Sequence, residues 1–336
     1  MYHVLFVPSF ILISLFRLLL CCHPWVEIMT TSYTAVQIQT HGGRNEDTVS
    51  VHVPDTETEP PQNKRRWIGG TIAVTVVAAI IAVVIWRTCQ PETFSKRFIR
   101  KCLEYKKDNN ESYCQHVFDV FERAYVGKPE SKVSVEDYDD LMAEVPFNHP
   151  CHQTMFWSKT NELVHKYTKD KGKKDCFTQE DALLGNILDN ETWCGKEGSN
   201  ETFTDGCQGL NYTGNTAVLS FWNRASAAFA EYACGEVTVM LDGSLEIPFN
   251  PNSTFARVEI RRLKYPKVTK LNVILVTGDK NVSNCNADNL KIDLRKALDS
   301  NILYSCNEVT ESRVADCSSS SDTDVGCVAC LLKPTE

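Results

Sequence analysis

Glu259 closes a short segment, Thr254–Ile260, in which apolar residues alternate with others. A period of two places Ala256, Val258 and Ile260 on one face and Phe255, Arg257 and Glu259 on the other, as in a half-buried strand. Carboxylates do acid–base or cation-stabilising chemistry only where something desolvates them. On spacing alone Glu259 reads as a solvated strand glutamate beside Arg257. Trp222 and Ser226 stand four apart in an Ala-rich helical run and share a face. Trp157, followed by Ser158, is the other indole of interest, and core burial is the commoner fate of both tryptophans. Glu180 lies where Thr178 and Asp181 have the spacing of a helix N-cap, which by itself explains acids there. Asp189 follows nine residues later, on the opposite face of a continuous helix. The two acids can meet only if that helix ends or bends before Asp189, after Leu188.

Common catalytic signatures are absent: there is no G-x-G-x-x-G, H-E-x-x-H or G-x-S-x-G. Gly209–Thr216 approaches a phosphate loop, but Asn215 stands where a lysine would contact phosphate, and the segment reads as a glycosylated loop. Cys327 and Cys330 have a zinc-like or redox-like spacing without a second pair, and disulfides are the better reading.

The elements that must position these side chains belong to a chain of 336 residues with 43% hydrophobic composition, which excludes wholesale disorder. A net charge of −8 argues against nucleic acid as a partner while leaving room for a phosphate-bearing small ligand. Twelve of the 15 cysteines fall between Cys102 and Cys330, an even number that points to an oxidising compartment. Ile68 to Trp86 carry no charge, and such a helix spans about 28 Å, close to a bilayer's hydrocarbon core. Lys64, Arg65 and Arg66 precede it and only Arg87 follows closely, so the N-terminal side is expected in the cytosol. Sequons at Asn110, Asn190, Asn200, Asn211, Asn252 and Asn281 all follow the span and agree with that orientation. The expected layout is a cytoplasmic tail over 1–66, a transmembrane helix over 67–87 and an extracellular domain over 90–336 at the plasma membrane. Apolar Val4–Cys22 carries Pro8 and Arg17. It reads either as a second membrane-associated segment or, preferably, as sequence upstream of a start at Met29.

Within 90–336, Ser112–Tyr125, Val135–Ala143, Thr154–Tyr167 and Ala217–Cys234 read as helices. Glu236–Leu241, Ala256–Leu263, Leu271–Thr277 and Ile302–Ser305 read as strands, with a helix at Leu290–Asp299 between the last two. The fold class expected is α/β: a helical lobe over about 90–235, a small parallel-sheet lobe over about 236–336, and a cleft between them.

An ordered set of fragments resembles the ADP-ribosyl cyclase family. It comprises Phe156-Trp157-Ser158, Phe177 through Gly185, Asp189 with Thr192-Trp193-Cys194-Gly195, Phe221-Trp222 with Ser226, and Asn252 through Glu259. The likeness runs from about Lys101 to Cys327, and the single-pass, short-tail layout is similar to the family's transmembrane branch. It implies an ectoenzyme that cleaves the nicotinamide–ribose bond of NAD to ADP-ribose and cyclic ADP-ribose. NAD and NADP are then substrates, and neither cofactor nor metal is needed. Glu259 would stabilise the ribosyl cation, Trp157 and Trp222 would wall the pocket, and Ser226 would bond the reacting ribose. Glu180 and Asp189 would hold the nicotinamide carboxamide, and Ser158, Lys159, Thr254 and Phe255 the phosphates or ribose. Further partners implied are the membrane and either a homodimer or another cell-surface protein. A non-catalytic surface receptor on the same fold is the alternative reading.

By the same resemblance, Cys102–Cys114, Cys151–Cys234, Cys194–Cys207, Cys285–Cys306 and Cys317–Cys327 are paired. A further family bridge, expected near Ser131 and Gly214, has neither partner here. Cys176 and Cys330 are left over and are expected to bond to each other. After the first tryptophan motif the multifunctional member carries arginine and lysine, where this chain has Lys159 and Asn161. Lys159 loses bidentate phosphate geometry and Asn161 loses the charge, so weaker hydrolysis of cyclic ADP-ribose is expected.

Overall fold

The computed structural model describes residues 80, 92–170, 176–204, 207, 217–278, 282–319 and 326–333. The expected span over 67–87 lies outside the described residues except for position 80, as do the start at Met29 and the sequons at Asn211 and Asn281. Among the described residues no helix is long and apolar enough to cross a membrane.

Two helices open the described domain, α1 (Phe94–Lys106) and α2 (Glu111–Arg123). Each is started by a side chain that accepts a backbone N–H, Thr93 Oγ1 from Lys96 and Asn110 Oδ1 from Tyr113. Their apolar faces meet in an aromatic cluster of Phe98, Phe118 and Phe121, joined by Tyr138, Trp193 and Phe221. Trp193 is fully buried, and its Nε1 donates to Tyr138 Oη, which donates to the Ala217 carbonyl. Short α3 (Asp139–Glu144) follows the turn at Glu136–Tyr138.

The sheet is parallel, in the order β1 (Met155–Ser158), β4 (Gly235–Asp242), β5 (Val268–Thr277), β6 (Leu303–Thr310). A separate two-residue ladder pairs β2 (Cys194–Gly195) with β3 (Thr202–Phe203). Parallel strands need crossovers that cover both faces, and β1, β4 and β5 are accordingly buried on both, while edge strand β6 is largely exposed or half-buried. Val237, Val239, Leu241, Leu271, Val273 and Leu275 face α1, α2 and α6 (Ala217–Tyr232). Met155, Met240, Ile274 and Val276 face α4 (Asn161–Asp170) and α7 (Glu311–Ser319).

Two expectations about elements are corrected. Thr154–Tyr167 is not one helix: its first residues form β1, and α4 starts at Asn161. A four-residue strand is too short to announce a period of its own beside ten helical residues. As a result the division at residue 235 is crossed, because β1 from the first part pairs with β4 of the second. Ala256–Leu263 is not a strand but a π-type turn over Phe255–Glu259, continued by a 3-10 turn over Ile260–Arg262. An asparagine turn at Asn250 leads into Ser253, whose Oγ accepts from Ala256 N, and these cap-like residues outweigh the alternation that follows.

Six disulfides close the domain. Four are the expected pairs, Cys102–Cys114, Cys151–Cys234, Cys194–Cys207 and Cys285–Cys306. The remaining four cysteines exchange partners relative to expectation. Cys176 bonds Cys327, not Cys330, and Cys317 bonds Cys330, not Cys327. The reason is packing: Tyr167 of α4 donates to the Cys327 carbonyl and seats that residue beside Cys176, while Cys330 lies in the short turn Ala329–Leu332 that packs on α7.

Candidate active site

Glu259 sits at the end of the π-type turn and is 7% exposed. Burial in this segment follows a helical period, with Phe255, Ala256, Glu259 and Ile260 inside. Arg257 is exposed and points away from Glu259, so the expected pairing of the two on one strand face does not occur.

Along α6, Trp222, Ser226 and Phe229 form one stripe, at i, i+4 and i+7, beside Glu259. Trp222 packs edge-on against Phe221 and Ser226 is 4% exposed. Across the cavity, Trp157 near the end of β1 has its indole edge-on to His165, and its Nε1 donates to Glu180 Oε2 at 3.4 Å. Ser158 and Lys159 follow, Lys159 with a positive φ of 64° that turns the chain along the rim.

Glu180 is presented by a turn over Gln179–Asp181. Asp181 Oδ2 accepts from both the backbone N–H and the hydroxyl of Thr178, so the cap consumes Asp181 and leaves Glu180 free to face the cavity. The following helix, α5 (Leu183–Leu188), stops where expected: Asp189 has φ −59° and ψ 130°. The break returns Asp189 to the same cavity as Glu180. Gly185 permits this arrangement, since a Cβ there would lie 2.1 Å from the Gln179 carbonyl oxygen. Beyond Asp189, Glu191 is gripped by Arg97 at 2.8 Å and Lys101 at 3.0 Å, which ties the rim to α1.

One cavity of about 550 Å³ results, lined by all ten residues singled out for catalysis or binding: Glu259, Glu180, Trp222, Ser226, Trp157, Ser158, Lys159, Asp189, Thr254 and Phe255. A larger and more open depression of about 730 Å³, between Phe249, Arg261, Lys264 and Lys296, contains none of them. Of the sequon asparagines, Asn110 and Asn200 are exposed away from the cavity, while Asn190 and Asn252 lie on its rim. Among the described residues no group of three His, Cys, Asp or Glu side chains is placed to hold a metal.

A family model for ADP-ribosyl cyclase matches residues 91–326. The chain belongs to the ADP-ribosyl cyclase family. The rat ADP-ribosyl cyclase/cyclic ADP-ribose hydrolase 1 is 35% identical over 234 residues, 67% of this chain and 76% of the relative. Porcine CD38, solved with a covalent intermediate, is 36% identical and superposes with a TM-score of 0.59 over 65% of this chain and 96% of that one. An Aplysia cyclase solved with substrate NGD and product cGDPR is 28% identical, with a TM-score of 0.56 over 65% of this chain and 89% of that one. The chain is therefore an enzyme of the ADP-ribosyl cyclase family with the fold of these relatives.

Electrostatics distinguish the acids of this cyclase-family cavity. Burial pushes the Glu259 carboxyl up to about 8; the neighbouring polar Ser226 side chain opposes this and the charge of Glu180 adds to it. Burial also raises Glu180, against the field of His165 and the hydrogen bond from Trp157. Glu191 goes the other way. Desolvation raises it, but hydrogen bonds and charge from Arg97 and Lys101 outweigh that and hold it below the usual carboxylate range.

Sequence reasoning missed Gln179, Glu191, Thr192, Ser253 and Phe229 as lining residues. Phe229 was legible, one helical stripe position beyond Ser226. Gln179 carries no such signal, because its neighbour is Ser226, 47 positions away in the chain.

Proposed function

We propose that this cavity breaks the bond between nicotinamide and the ribose C1′ of NAD, with Glu259 stabilising the ribosyl cation left behind. The bonding electron pair leaves with the nicotinamide nitrogen, which turns from a cationic pyridinium into a neutral ring, so departure needs little acid catalysis. The barrier lies at C1′, which becomes oxocarbenium-like and is stabilised by a carboxylate in a dry, aromatic-walled pocket. Glu259 holds the ribose hydroxyls and pairs with that cation or bonds to C1′. Porcine CD38 solved with a covalent intermediate supports the second form. Attack by water, which gives up a proton to solvent, then yields ADP-ribose, and attack by a ring nitrogen of the adenine, which takes the positive charge, yields cyclic ADP-ribose; both return the carboxylate.

Trp157 and Trp222 stack on the nicotinamide and then help fold the adenine back. Glu180 and Asp189 hold the carboxamide, Ser226 bonds the ribose, and Ser158, Lys159, Thr254 and Phe255 contact phosphates and ribose. Lys159 and Asn161 offer a single flexible cation at the rim, so cyclic ADP-ribose is hydrolysed more slowly than NAD. NADP is a second substrate, with base exchange against nicotinic acid. The domain over 90–336 works outside the cell behind one transmembrane helix over 67–87, with its sequons glycosylated. Glycosidase-sensitive mass and protease accessibility on intact cells test that layout.

The observation that carries this reading is a 7% exposed glutamate in a cavity that also holds two indoles and a second glutamate. The protein is incubated with NAD and with its guanine analogue, and the cyclic and linear products are separated. Both are expected from the parent and neither from Glu259→Gln. Retention of more than a few per cent of turnover by that variant would overturn the assignment.

A further inference from the structure

Gln179 is the residue of the cavity wall whose presence the chemistry above does not explain. It is 6% exposed, and its amide oxygen accepts the Ser226 hydroxyl at 2.8 Å. Its amide nitrogen is buried and has no hydrogen-bond partner among the described residues. A buried amide donor left this way is destabilising, a penalty that an apolar side chain of similar size would avoid. The backbone cannot relieve it. Thr178 and Asp181 clamp the turn on either side, the Gln179 carbonyl accepts from Ala182 N, and Gly185 lies against that same carbonyl. Rotation of the amide about its last torsion is the freedom that remains.

Ser226 has one hydrogen to give. With the Gln179 oxygen turned inward, that hydrogen goes to Gln179 and the Ser226 oxygen offers only lone pairs to Glu259, which suits a protonated carboxyl. With the amide turned over, its nitrogen donates to Ser226 Oγ, and the hydroxyl hydrogen is released to a Glu259 carboxylate. The orphan is then a carbonyl oxygen, a cheaper one to leave than an N–H.

We propose that Gln179 is a positioning residue for the reaction: its amide turns over as cationic substrate enters, so that Ser226 stops accepting from neutral Glu259 and starts donating to its carboxylate. This inference rests on the catalytic role assigned to Glu259. The charged groups facing the trio are few. Glu180 adjoins Gln179, Asp189 and Glu191 line the nicotinamide end, and Lys159 lies on the rim. Asp181 is engaged in its cap, His165 sits behind Trp157, and Arg257 points outward.

The test is a double-mutant cycle on the full chain between Gln179→Leu and Ser226→Ala, read by the pH profile of kcat/KM for NAD. Leucine leaves the Ser226 hydrogen free for Glu259 at all times. The acidic limb is therefore expected to move to lower pH by about half a unit or more, the size one neutral hydrogen bond supports. In the Ser226→Ala background the same change is expected to move nothing. An unmoved limb, or an equal shift with and without the serine, would overturn the proposal. A parallel readout needs no turnover: the midpoint at which Glu259 loses its proton, followed through the pH dependence of unfolding, is expected to shift the same way in Gln179→Leu. An inactive parent that still shows this shift would sink the assigned activity and leave the Gln179–Ser226 coupling standing. Gln179→Met repeats the cycle if the leucine variant does not fold, with the same outcomes expected.

Discussion

Two walls of the cavity hold their glutamates by opposite means. Glu259 stands on a turn buried against α6, where burial dominates and its carboxyl is held up near 8. Glu191 stands on the opposite rim, beyond the end of α5, where two cations of α1 pull its carboxyl down. The first wall disfavours a charge and holds its carboxyl protonated, and the second is tied down by ion pairs that stabilise one. The cavity thus places the group proposed to react where folding least favours a charge, and its tether where folding gains from one.

Removing the charge on the first wall is expected to have the largest effect. Glu259→Gln should lower turnover of NAD by about a thousandfold or more while preserving the fold, checked by product analysis and circular dichroism. The same substitution should raise stability at alkaline pH, which no ordinary loss of a contact would do.

Breaking the second wall from within comes next. Gly185→Ala places a Cβ 2.1 Å from the Gln179 carbonyl, against backbone that cannot swing aside. Loss of about 2–3 kcal/mol of stability is expected, together with a fall in activity of at least about tenfold as Glu180 and Asp189 lose register. Denaturant melts and a KM-against-kcat split check it. Normal kinetics would mean that the Glu180 wall contributes little.

The pH dependence sharpens the comparison because the two glutamates carry opposite signs. Glu259 has a folded pKa of about 8 against an ordinary 4.5, so the folded state binds the extra proton between those values. Stability contributed by that proton is complete below about pH 4.5 and is lost as pH rises toward 8. Glu191 has a lowered folded pKa, so its contribution is present above 4.5 and is lost as pH falls below it. Unfolding free energy should therefore decline at both ends, and Glu259→Gln should flatten only the alkaline side. In kinetics, kcat/KM should rise with pH toward about 8, while the limb of kcat lies lower, because a bound pyridinium favours the carboxylate.

The smallest effect is expected from the tether. Arg97→Ala leaves Lys101 on Glu191 and should cost about 1 kcal/mol or less, with KM for NAD raised a few-fold and kcat little changed. An unchanged KM would separate the rim from substrate binding.

Much of this architecture was legible in the residues themselves. The apolar helical face of α2 and the apolar runs of β4 and β5 follow from short-range periodicity, while the break after Leu188 follows from requiring Glu180 and Asp189 to reach one site. Where neighbouring signals conflicted, the reading failed. Alternation in Thr254–Ile260 suggested a strand, whereas Asn250 and Ser253 start a helical turn. Four cysteines exchanged partners because Tyr167 and α7, elements distant in the chain, decide which sulfur meets which.

By itself the sequence determined most local elements, which depend on periods and residue types within a few positions, and its ordered motifs pointed, through the family they resemble, to the ten residues that line the cavity. Tertiary structure alone decided that Glu259 is dry, that Arg257 faces away from it, and that Gln179 reaches Ser226. Dielectric environment and hydrogen-bond partnership are set by what packs around a side chain, and that neighbourhood is assembled from segments far apart along the chain.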